Sequence, residues 1–508
     1  MTALLMTVGI LIVVVGIMLS IALHEVGHLL PAKLFKVRVT QYMVGFGSTI
    51  WSRRRGETEY GIKAVPLGGY VAMIGMYPPP DEDENNPEII EDDAGPEDGY
   101  LRELNSQYGE PPAASAQSAG GAQSAGGAPS AGESQTPGAG EDSSDTTLVR
   151  SQATGLFQQM SAEAREVAAE ELKPGDEDRM FYRLPIWKRI IIMLGGPLMN
   201  GLIALVLTAG TISLHGTEEP TTQVNEVFEC VVSAEDSDAG QDACTASDPA
   251  GPAYQAGLRP GDEIVAFGGQ EVQEWDELTG LIQESADQST QLEYLRDGER
   301  HTTTLTPLLV DRPVADGLGR AERDGEGNLV TEAVGFIGMS AGSELQRQPV
   351  TEAGPVVWEQ TKAVGEIVVQ LPWRVYDVAE STFTSAERDP DGPLSVVGVG
   401  RIAGELSAQE QIPLESRFAT LMSLVAGVNI ALMVFNLIPL LPLDGGHVAG
   451  ALYEGLRRRL AKLLGRPDPG PFDISKLLPL TYVVAVLLLG MGALLILADI
   501  INPIRLFE

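Results

Sequence analysis

Two histidines and a glutamate near the amino terminus form the pattern with the clearest chemical meaning in this sequence. His24, Glu25 and His28 make up an HExxH motif. Side chains four residues apart on a helix project from one face, so the histidines can bind one zinc ion while the glutamate moves protons. The motif follows an uncharged, mostly apolar run, residues 3–23, which is long enough to cross a bilayer. The pattern predicts metal chemistry inside or at the edge of a membrane.

A third ligand is predicted much later in the chain. Residues 435–447 read FNLIPLLPLDGGH and end another apolar stretch with Asp444. Two histidines and one carboxylate leave a fourth zinc position for water, as in a catalytic site. Prolines and glycines around Asp444 break the helix, which at this depth is tolerated only beside protein or a water-filled cavity. The alternative is a chance motif with two interfacial histidines, but ionisable groups at membrane depth are usually functional.

With both metal motifs in this order, the chain resembles site-two-type intramembrane zinc metalloproteases, the bacterial kind similar to the regulator of sigma-E protease. GPLMN at residues 196–200 and GIKAVPLGGYV at residues 61–71 also match the family pattern. The resemblance covers the membrane segments and the domain between them, but not residues from about 80 to 150. It implies a Zn²⁺-dependent endopeptidase that cuts in or near transmembrane segments of membrane proteins, such as an anti-sigma factor or a remnant signal peptide.

The resemblance also implies a role for each residue of the metal motifs. His24, His28 and Asp444 bind zinc, and Glu25 accepts a proton from water and passes it to the leaving amine. His447, three residues after Asp444, is excluded as a fourth ligand because the family keeps that position open. We expect His447 to orient or cap Asp444 instead.

A helical substrate must be unwound locally, because its carbonyl groups are already hydrogen-bonded within the helix. Residues 61–73, which include Gly68 and Gly69, resemble a membrane-associated hairpin whose edge receives the substrate as an added strand. Asn436 is a candidate for hydrogen bonding to the extended substrate. Two alternatives stay open: a hairpin that only plugs the site, and an Asn436 that satisfies carbonyl groups freed by the broken helix.

The elements that must position these residues are predicted from hydropathy. We expect a polytopic α-helical membrane protein of four transmembrane helices with an inserted extracytoplasmic PDZ-like α+β domain. The predicted parts are 1–30, the first transmembrane helix; 31–79, the hairpin region; 80–150, a disordered acidic insertion; 151–189, a cytoplasmic segment; 190–215, the second transmembrane helix; 216–345, the PDZ-like domain; 346–416, a helical juxtamembrane segment; 417–447, the third transmembrane helix; 448–478, a basic loop; 479–500, the fourth transmembrane helix; and 501–508, a tail.

The distribution of basic residues predicts the orientation in a bacterial cell membrane. They follow the first span, precede the second and separate the last two: Lys33, Lys36, Arg38, Arg53, Arg54, Arg55, Arg183, Lys188, Arg189, Arg457, Arg458, Arg459, Lys462, Arg466 and Lys476. Such loops are cytoplasmic, so the acidic connection between the second and third spans and both termini lie outside. The zinc site then lies near the cytoplasmic side. No cleavable signal peptide is expected, because the first span lacks a basic leader and contains the ligands.

The outward connection contains a second motif. Residues 252–267, PAYQAGLRPGDEIVAF, resemble the signature of PDZ domains; residues 275–282 read as its next helix and residues 333–339 as a strand of the same domain. Such domains bind peptides by strand addition. The alternative is a size filter that excludes folded substrates without binding peptide.

Part of the net charge of −36 is local, since residues 81–150 contain sixteen acidic and two basic residues around a Gly, Ala, Ser and Pro-rich stretch. This composition predicts a disordered spacer, with a shielding or gating role as the alternative. The only cysteines, Cys230 and Cys244, lie on the predicted outer side, where either a disulfide or free thiols are possible. His215 and His301 are interpreted as surface residues.

Two other functional classes remain to be tested. A protease-like binding scaffold would usually lack Glu25 or a ligand, and all four residues are present. A metal transporter would use buried histidines and carboxylates but would need neither the HExxH glutamate nor a PDZ-like module. Transmembrane proteins and the lipid bilayer are the expected partners, without nucleic acid.

Overall fold

The computed structural model describes residues 2–76, 173–232, 244, 248–314, 330–384, 388–389 and 392–504. The predicted acidic insertion, residues 80–150, lies outside these ranges. The helices are α1 (Thr2–Leu34), α2 (Ile186–Gly210), α3 (Pro252–Gln255), α4 (Trp275–Glu284), α5 (Ala353–Phe383), α6 (Val396–Ala408), α7 (Leu414–Asn436), α8 (Asp444–Leu463) and α9 (Leu478–Ile501). The strands are β1 (Val39–Arg55), β2 (Thr58–Met73), β3 (Thr217–Val227), β4 (Glu263–Phe267), β5 (Gln270–Glu271), β6 (Thr290–Arg296), β7 (Glu299–Leu305), β8 (Leu308–Pro313), β9 (Thr331–Phe336) and β10 (Met339–Gln346).

Within the described residues, four helical stretches are long and apolar enough to cross a membrane: Thr2–Leu34, Ile186–His215, Leu414–Asn436 and Ile474–Ile501. Many of their apolar side chains are exposed, including Leu4 and Val486 at 67% and 66%. Such an apolar surface is stable in lipid. A helix can cross the lipid because its backbone N–H and C=O groups are hydrogen-bonded to one another. The four predicted spans are therefore confirmed as helices of spanning length and composition.

The third span differs from its predicted boundaries. α7 ends at Asn436, and Asp444 is the first residue of a new helix, α8. Pro439 and Pro442 lie in the intervening loop, and proline has no backbone N–H to continue a helix. The loop turns tightly, with Leu443 N–H donating to the Leu440 carbonyl at 2.9 Å.

The first two spans approach each other through glycines. A Cβ on Gly27 would collide with the Gly195 backbone, and a Cβ on Gly195 with the Gly27 backbone. Such contacts let two helices pack at backbone distance within a membrane. Nearer the amino terminus of α1, Val13 is buried with Leu421 and Val425 of α7. Side chains from distant parts of the chain thus form one bundle.

β1 and β2 form a sheet of four segments rather than the simple hairpin predicted for residues 61–73. Residues 41–44 pair with 69–72 and also with 59–62, while residues 51–55 pair with 58–62. Residues 41–44 are therefore central, and residues 69–72 lie at an edge. Gly45 and Gly47 adopt positive φ angles of 94° and 85° within β1, a conformation that glycine reaches without steric cost.

Side-chain hydrogen bonds fix this sheet to the rest of the molecule. The Tyr42 hydroxyl donates to the Ala22 carbonyl of α1 at 2.7 Å. At the opposite end, Arg179 donates two hydrogen bonds to Glu57, at 2.9 and 2.6 Å. These bonds hold the pKa of the Glu57 carboxyl below its ordinary value. The sheet is thus held against α1 and the turn before α2.

The segment between the second and third spans contains a separate β-rich region. Its main sheet has the strand order β10-β3-β4-β6-β7, with β5 paired to β4, and β8 pairs with β9. α3 and α4 contribute to its apolar core, in which Ile264, Leu278 and Leu292 are fully buried. This arrangement confirms the predicted inserted β-containing domain.

Two details of this region were not specified by the sequence. The predicted strand at residues 333–339 is divided between β9 and β10, and Gly338 lies between them with φ of 79°. Cys230 and Cys244 form a disulfide, with Cα atoms 5.8 Å apart. Of the two alternatives predicted for these cysteines, the disulfide is therefore confirmed and free thiols are excluded.

Candidate active site

The three predicted zinc ligands meet in space although they are far apart in sequence. His24 and His28 lie one turn apart on α1, and Asp444 begins α8. The two Nε2 atoms are 3.3 Å apart, and each lies 3.3 Å from Asp444 Oδ2. These atoms form the one cluster within the described residues that has the composition and spacing of a metal site.

The spacing of the three donor atoms fits a tetrahedral zinc ion. Zinc bonds of about 2.0 Å separate the ligand atoms of a tetrahedral ion by about 3.3 Å. The three distances between the donor atoms of His24, His28 and Asp444 all have this value. Two imidazole nitrogens and one carboxylate oxygen are also the donor types of a catalytic zinc site with an open position.

Helix α2 forms the wall behind the histidines. The Ile192 carbonyl lies 2.8 Å from His28 Nδ1, so this nitrogen carries the proton when Nε2 binds a metal. Gly196 lies against both rings: a Cβ there would collide with His28 Nε2 and come within 2.7 Å of His24 Nε2. Only glycine leaves room for the two rings at this position.

Glycines also bring Asp444 into place. A Cβ on Gly445 would collide with the Ile438 carbonyl, and a Cβ on Gly446 would lie 2.6 Å from Leu441 N. Residues after Asp444 therefore pack directly on the loop that precedes it. The short side chains allow the loop to fold back over the first turn of α8.

Glu25 is buried beside the ligands and faces the edge of the sheet. Its exposed fraction is 7%. A Cβ on Gly69 would lie 2.9 Å from Glu25 Cγ and 3.2 Å from Oε1. The edge segment at residues 69–72 thus passes directly over the carboxylate that is predicted to move protons.

The other sequence-predicted residues lie at different distances from this centre. Gly68 has φ of 102° and its α-carbon faces the Phe46 ring. Asn436 is the last residue of α7 and is half-buried. His447 is in the first turn of α8, outside the three-atom cluster. His301 is exposed and His215 is half-buried.

The family is decided by comparison with known proteins. The model of Peptidase family M50 matches residues 12–465. The chain belongs to peptidase family M50. Zinc metalloprotease Rip1 of Mycobacterium tuberculosis is 30% identical over 98% of this chain and 99% of the relative. Rip1 of Mycolicibacterium smegmatis is 27% identical over 99% of both chains, and metalloprotease MmpA of Caulobacter vibrioides is 23% identical over 89% of both.

Membership of family M50 confirms the predicted site-two resemblance and enzyme class. The chain is a zinc metalloprotease whose cofactor is Zn²⁺. With four helices in its described part that are long and apolar enough to span a membrane, it is a multi-pass membrane protein, and its substrates are membrane proteins. The alternative hypothesis of a metal transporter is rejected, because the chain belongs to a peptidase family.

Sequence reasoning missed several groups that build this M50 site. Arg189 of α2 donates to Glu454 of α8 at 2.7 Å, and both side chains are almost completely buried. This ion pair fixes the helix that begins with Asp444 against the helix that backs the histidines. The Gly195-Gly196 pair in an apolar run was a usable signal, because adjacent small residues mark close helix packing. No sequence pattern indicated that the Ile192 carbonyl would contact His28, because every residue has a backbone carbonyl.

Proposed function

We propose that His24, His28 and Asp444 bind the catalytic zinc ion, and that Glu25 is the general base of an endopeptidase that cleaves in or near transmembrane segments. The observation that carries the proposal is the triangle of donor atoms with 3.3 Å edges. Two of its corners, His24 and His28, lie on a helix of spanning length beside the buried Glu25. Ionisable groups at such a depth are costly unless they serve a site.

The chemistry divides between the cofactor and the side chains. Bound zinc supplies Lewis acidity toward water and the scissile carbonyl. Glu25 accepts the proton of the attacking water and delivers it to the leaving amine. Because the Ile192 carbonyl accepts from His28 Nδ1, the Nε2 lone pair of His28 stays directed at the metal.

The sheet edge supports a proposal for substrate binding. Residues 69–72 pair on one side with residues 41–44, and within the described ranges no strand pairs with their other side. A substrate segment added there would be extended, which releases its carbonyls from helical hydrogen bonds. Gly69 would bring this segment past Glu25. Asn436, at the end of α7, is proposed as a hydrogen-bonding partner of the same segment.

The orientation proposed from the sequence fits the distribution of charge on the elements. Arg53, Arg54 and Arg55 are exposed at the end of β1. Three arginines also lie on α8, which begins with Asp444. Positive charge near spans marks the cytoplasmic side. The zinc site is accordingly proposed to open near the cytoplasmic face of a bacterial cell membrane, and the β-rich region to lie outside, with anti-sigma factors or remnant signal peptides as substrates.

A second proposal concerns the β-rich region, which we interpret as a PDZ-like domain. A cavity of about 340 Å³ is lined by Trp275 and Ile282 of α4, by Phe336 and Ile337, and by Met339 at the start of β10. β10 is an edge strand of the main sheet. A groove between a helix and an edge strand suits an extended peptide that adds to the sheet. The alternative role is exclusion of substrates with large folded outer domains.

The ligand assignment is tested by Asp444→Ala. Two histidines alone leave zinc under-coordinated, so bound zinc and cleavage of a transmembrane model substrate in detergent should be lost together. Asp468→Ala is the matched control, because the Asp468 side chain is 65% exposed in the loop after α8. Metal analysis and substrate cleavage should both match wild type in the control. Stoichiometric zinc with full activity in Asp444→Ala would refute the proposed ligand set.

A further inference from the structure

Three buried polar groups near the zinc site have no hydrogen-bond partner among the described residues. They are His447 Nδ1 on α8, His24 Nδ1 on α1 and the side-chain amide of Asn200 on the neighbouring α2. Asn200 is completely buried, and both its Oδ1 and its Nδ2 are unpaired. A buried polar group without a partner is destabilising, because it has lost its hydrogen bonds to water and gained none in the protein. Two such groups in neighbouring helices call for a common explanation.

The contacts between α1 and α2 place Asn200 on the face of α2 that backs the two histidines. His28 meets Ile192, Gly27 meets Gly195, and His24 meets Gly196, so the two helices run in opposite directions. Ile192, Gly196 and Asn200 are four residues apart and share one face of α2. Moving from Ile192 to Gly196 therefore means moving from the level of His28 to the level of His24, and Asn200 lies one turn farther along the same face.

The direction of the Asn200 side chain also favours contact with His24. Helical side chains lean toward the amino terminus of their helix and cover the preceding turn. The preceding turn presents Gly196, which has no side chain. A Cβ placed on Gly196 would lie only 2.7 Å from His24 Cε1. Cε1 is bonded to Nδ1, the unpaired ring nitrogen. A side chain at Asn200 that leans back over Gly196 is therefore directed toward the His24 ring.

We propose that Asn200 is the positioning residue of His24: its side-chain carbonyl accepts a hydrogen bond from His24 Nδ1–H and thereby directs Nε2 at the zinc ion. The inference rests on the proposed role of His24 as a ligand. A neutral histidine that binds metal through Nε2 carries its proton on Nδ1. The α2 helix then serves both histidines, with a backbone carbonyl for His28 and an amide for His24. Because both Asn200 side-chain atoms and His24 Nδ1 are unpaired in the structure, the bond forms through a change of the Asn200 side-chain rotamer.

The test compares zinc affinity in three full-length variants. Asn200→Leu removes the hydrogen-bond acceptor at similar side-chain volume. It should weaken zinc binding about 10–100-fold, the usual effect of losing the residue that hydrogen-bonds to a metal-binding histidine. Asn200→Asp retains an acceptor oxygen and should keep zinc affinity within a few-fold of wild type. Asn429→Leu is the matched control, because Asn429 is also completely buried in the bundle but donates to Ser20 Oγ, at 2.9 Å.

Competition with a chelator measures affinity, and the visible absorption of the Co²⁺-substituted protein reports ligand geometry. Both should change in Asn200→Leu and remain unchanged in Asn429→Leu. Wild-type affinity and spectrum in Asn200→Leu would overturn the inference, as would equal zinc loss in Asn200→Leu and Asn200→Asp. If Asn200→Leu does not fold, ¹⁵N-histidine spectra of the wild-type zinc form decide: a proton on His24 Nδ1 whose resonance shifts in Asn200→Asp supports the pairing, and an unprotonated or unshifted Nδ1 rejects it.

His24→Ala in the same series separates this inference from the site itself. Zinc loss in His24→Ala with wild-type affinity in Asn200→Leu would reject only the role of Asn200. Undiminished zinc affinity in His24→Ala would instead reject the proposed ligand set.

Discussion

The proposed zinc site and the β-rich region are built in opposite ways. The site collects His24, Ile192 and Asp444 from three helices that are separated by hundreds of residues. The β-rich region is nearly self-contained, since Thr217 at its start is the Cα partner of Gln346 at its end. Its strands can therefore form their sheet without the helical bundle, whereas the zinc site exists only when the bundle is assembled.

The packing of the two regions follows from this difference. At the zinc site, glycine backbones touch histidine rings and neighbouring helices, so added atoms have no space. The β-rich region surrounds an ordinary apolar core and leaves a groove open beside α4. Small changes should therefore disable the first region, while the second should tolerate larger ones.

The largest effect is expected for Glu25→Gln. The amide keeps the shape of the side chain but cannot accept the proton, so turnover should fall about 10²–10⁴-fold. Zinc content should stay at the wild-type level, because Glu25 is not among the three proposed ligands. Metal analysis alongside a cleavage assay checks both quantities. Zinc loss in this variant, or wild-type turnover, would contradict the assignment of Glu25 as general base.

Gly196→Ala tests how tightly the site is packed. The added methyl group would collide with His28 Nε2, so either the ring or α2 must move; zinc affinity should fall at least about tenfold, the scale seen when a ligand loses its support. Gly427→Ala on α7 is the control, because its Cβ meets nothing within 4 Å. Alanine is favoured over glycine in a helix by about 1 kcal/mol, so the control should be as stable as wild type or more so. Similar zinc affinities in the two variants would show that the Gly196 contact is not restrictive.

Removal of the β-rich region tests its independence from the zinc site. Because Thr217 and Gln346 are paired, residues 218–345 can be replaced by a short Gly-Ser connection without stretching the chain. Zinc binding should remain. Wild-type enzyme should cut a substrate with a folded outer domain more slowly than the same span with that domain trimmed, and the deletion should bring the two rates together. Unchanged discrimination would place substrate selection in the membrane, at the sheet edge and Asn436.

The sequence predicted the parts of the molecule that leave local patterns. Hydropathy located the four spans, the HExxH spacing located His24, Glu25 and His28, and the aspartate after a broken helix supplied Asp444. Pairings between distant residues have no such pattern. The central place of residues 41–44 in their sheet and the Arg189–Glu454 ion pair depend on tertiary packing, so neither could be derived from spacing. The division of the strand at Gly338 was missed because glycine permits positive φ without requiring it.

The smallest effect is expected from a change within the β-rich region, where local stability should fall and the proposed zinc site should be unaffected. Arg296 donates two hydrogen bonds to Asp262, at 2.8 and 2.7 Å, and the Asp262 side chain is almost completely buried. Arg296→Met should lower the stability of β4 and β6 by about 1–2 kcal/mol, since the carboxylate keeps only the hydrogen bond from Arg259 N–H. Arg300→Met is the control, because the pair between Arg300 and Glu293 is solvent-exposed and worth little. Hydrogen exchange measured on the full chain should speed up in β4 and β6 of Arg296→Met only, with α1 protected as in wild type. Faster exchange in α1 as well would show that the two regions unfold together, and the contrast between a distributed site and a self-contained domain would not hold.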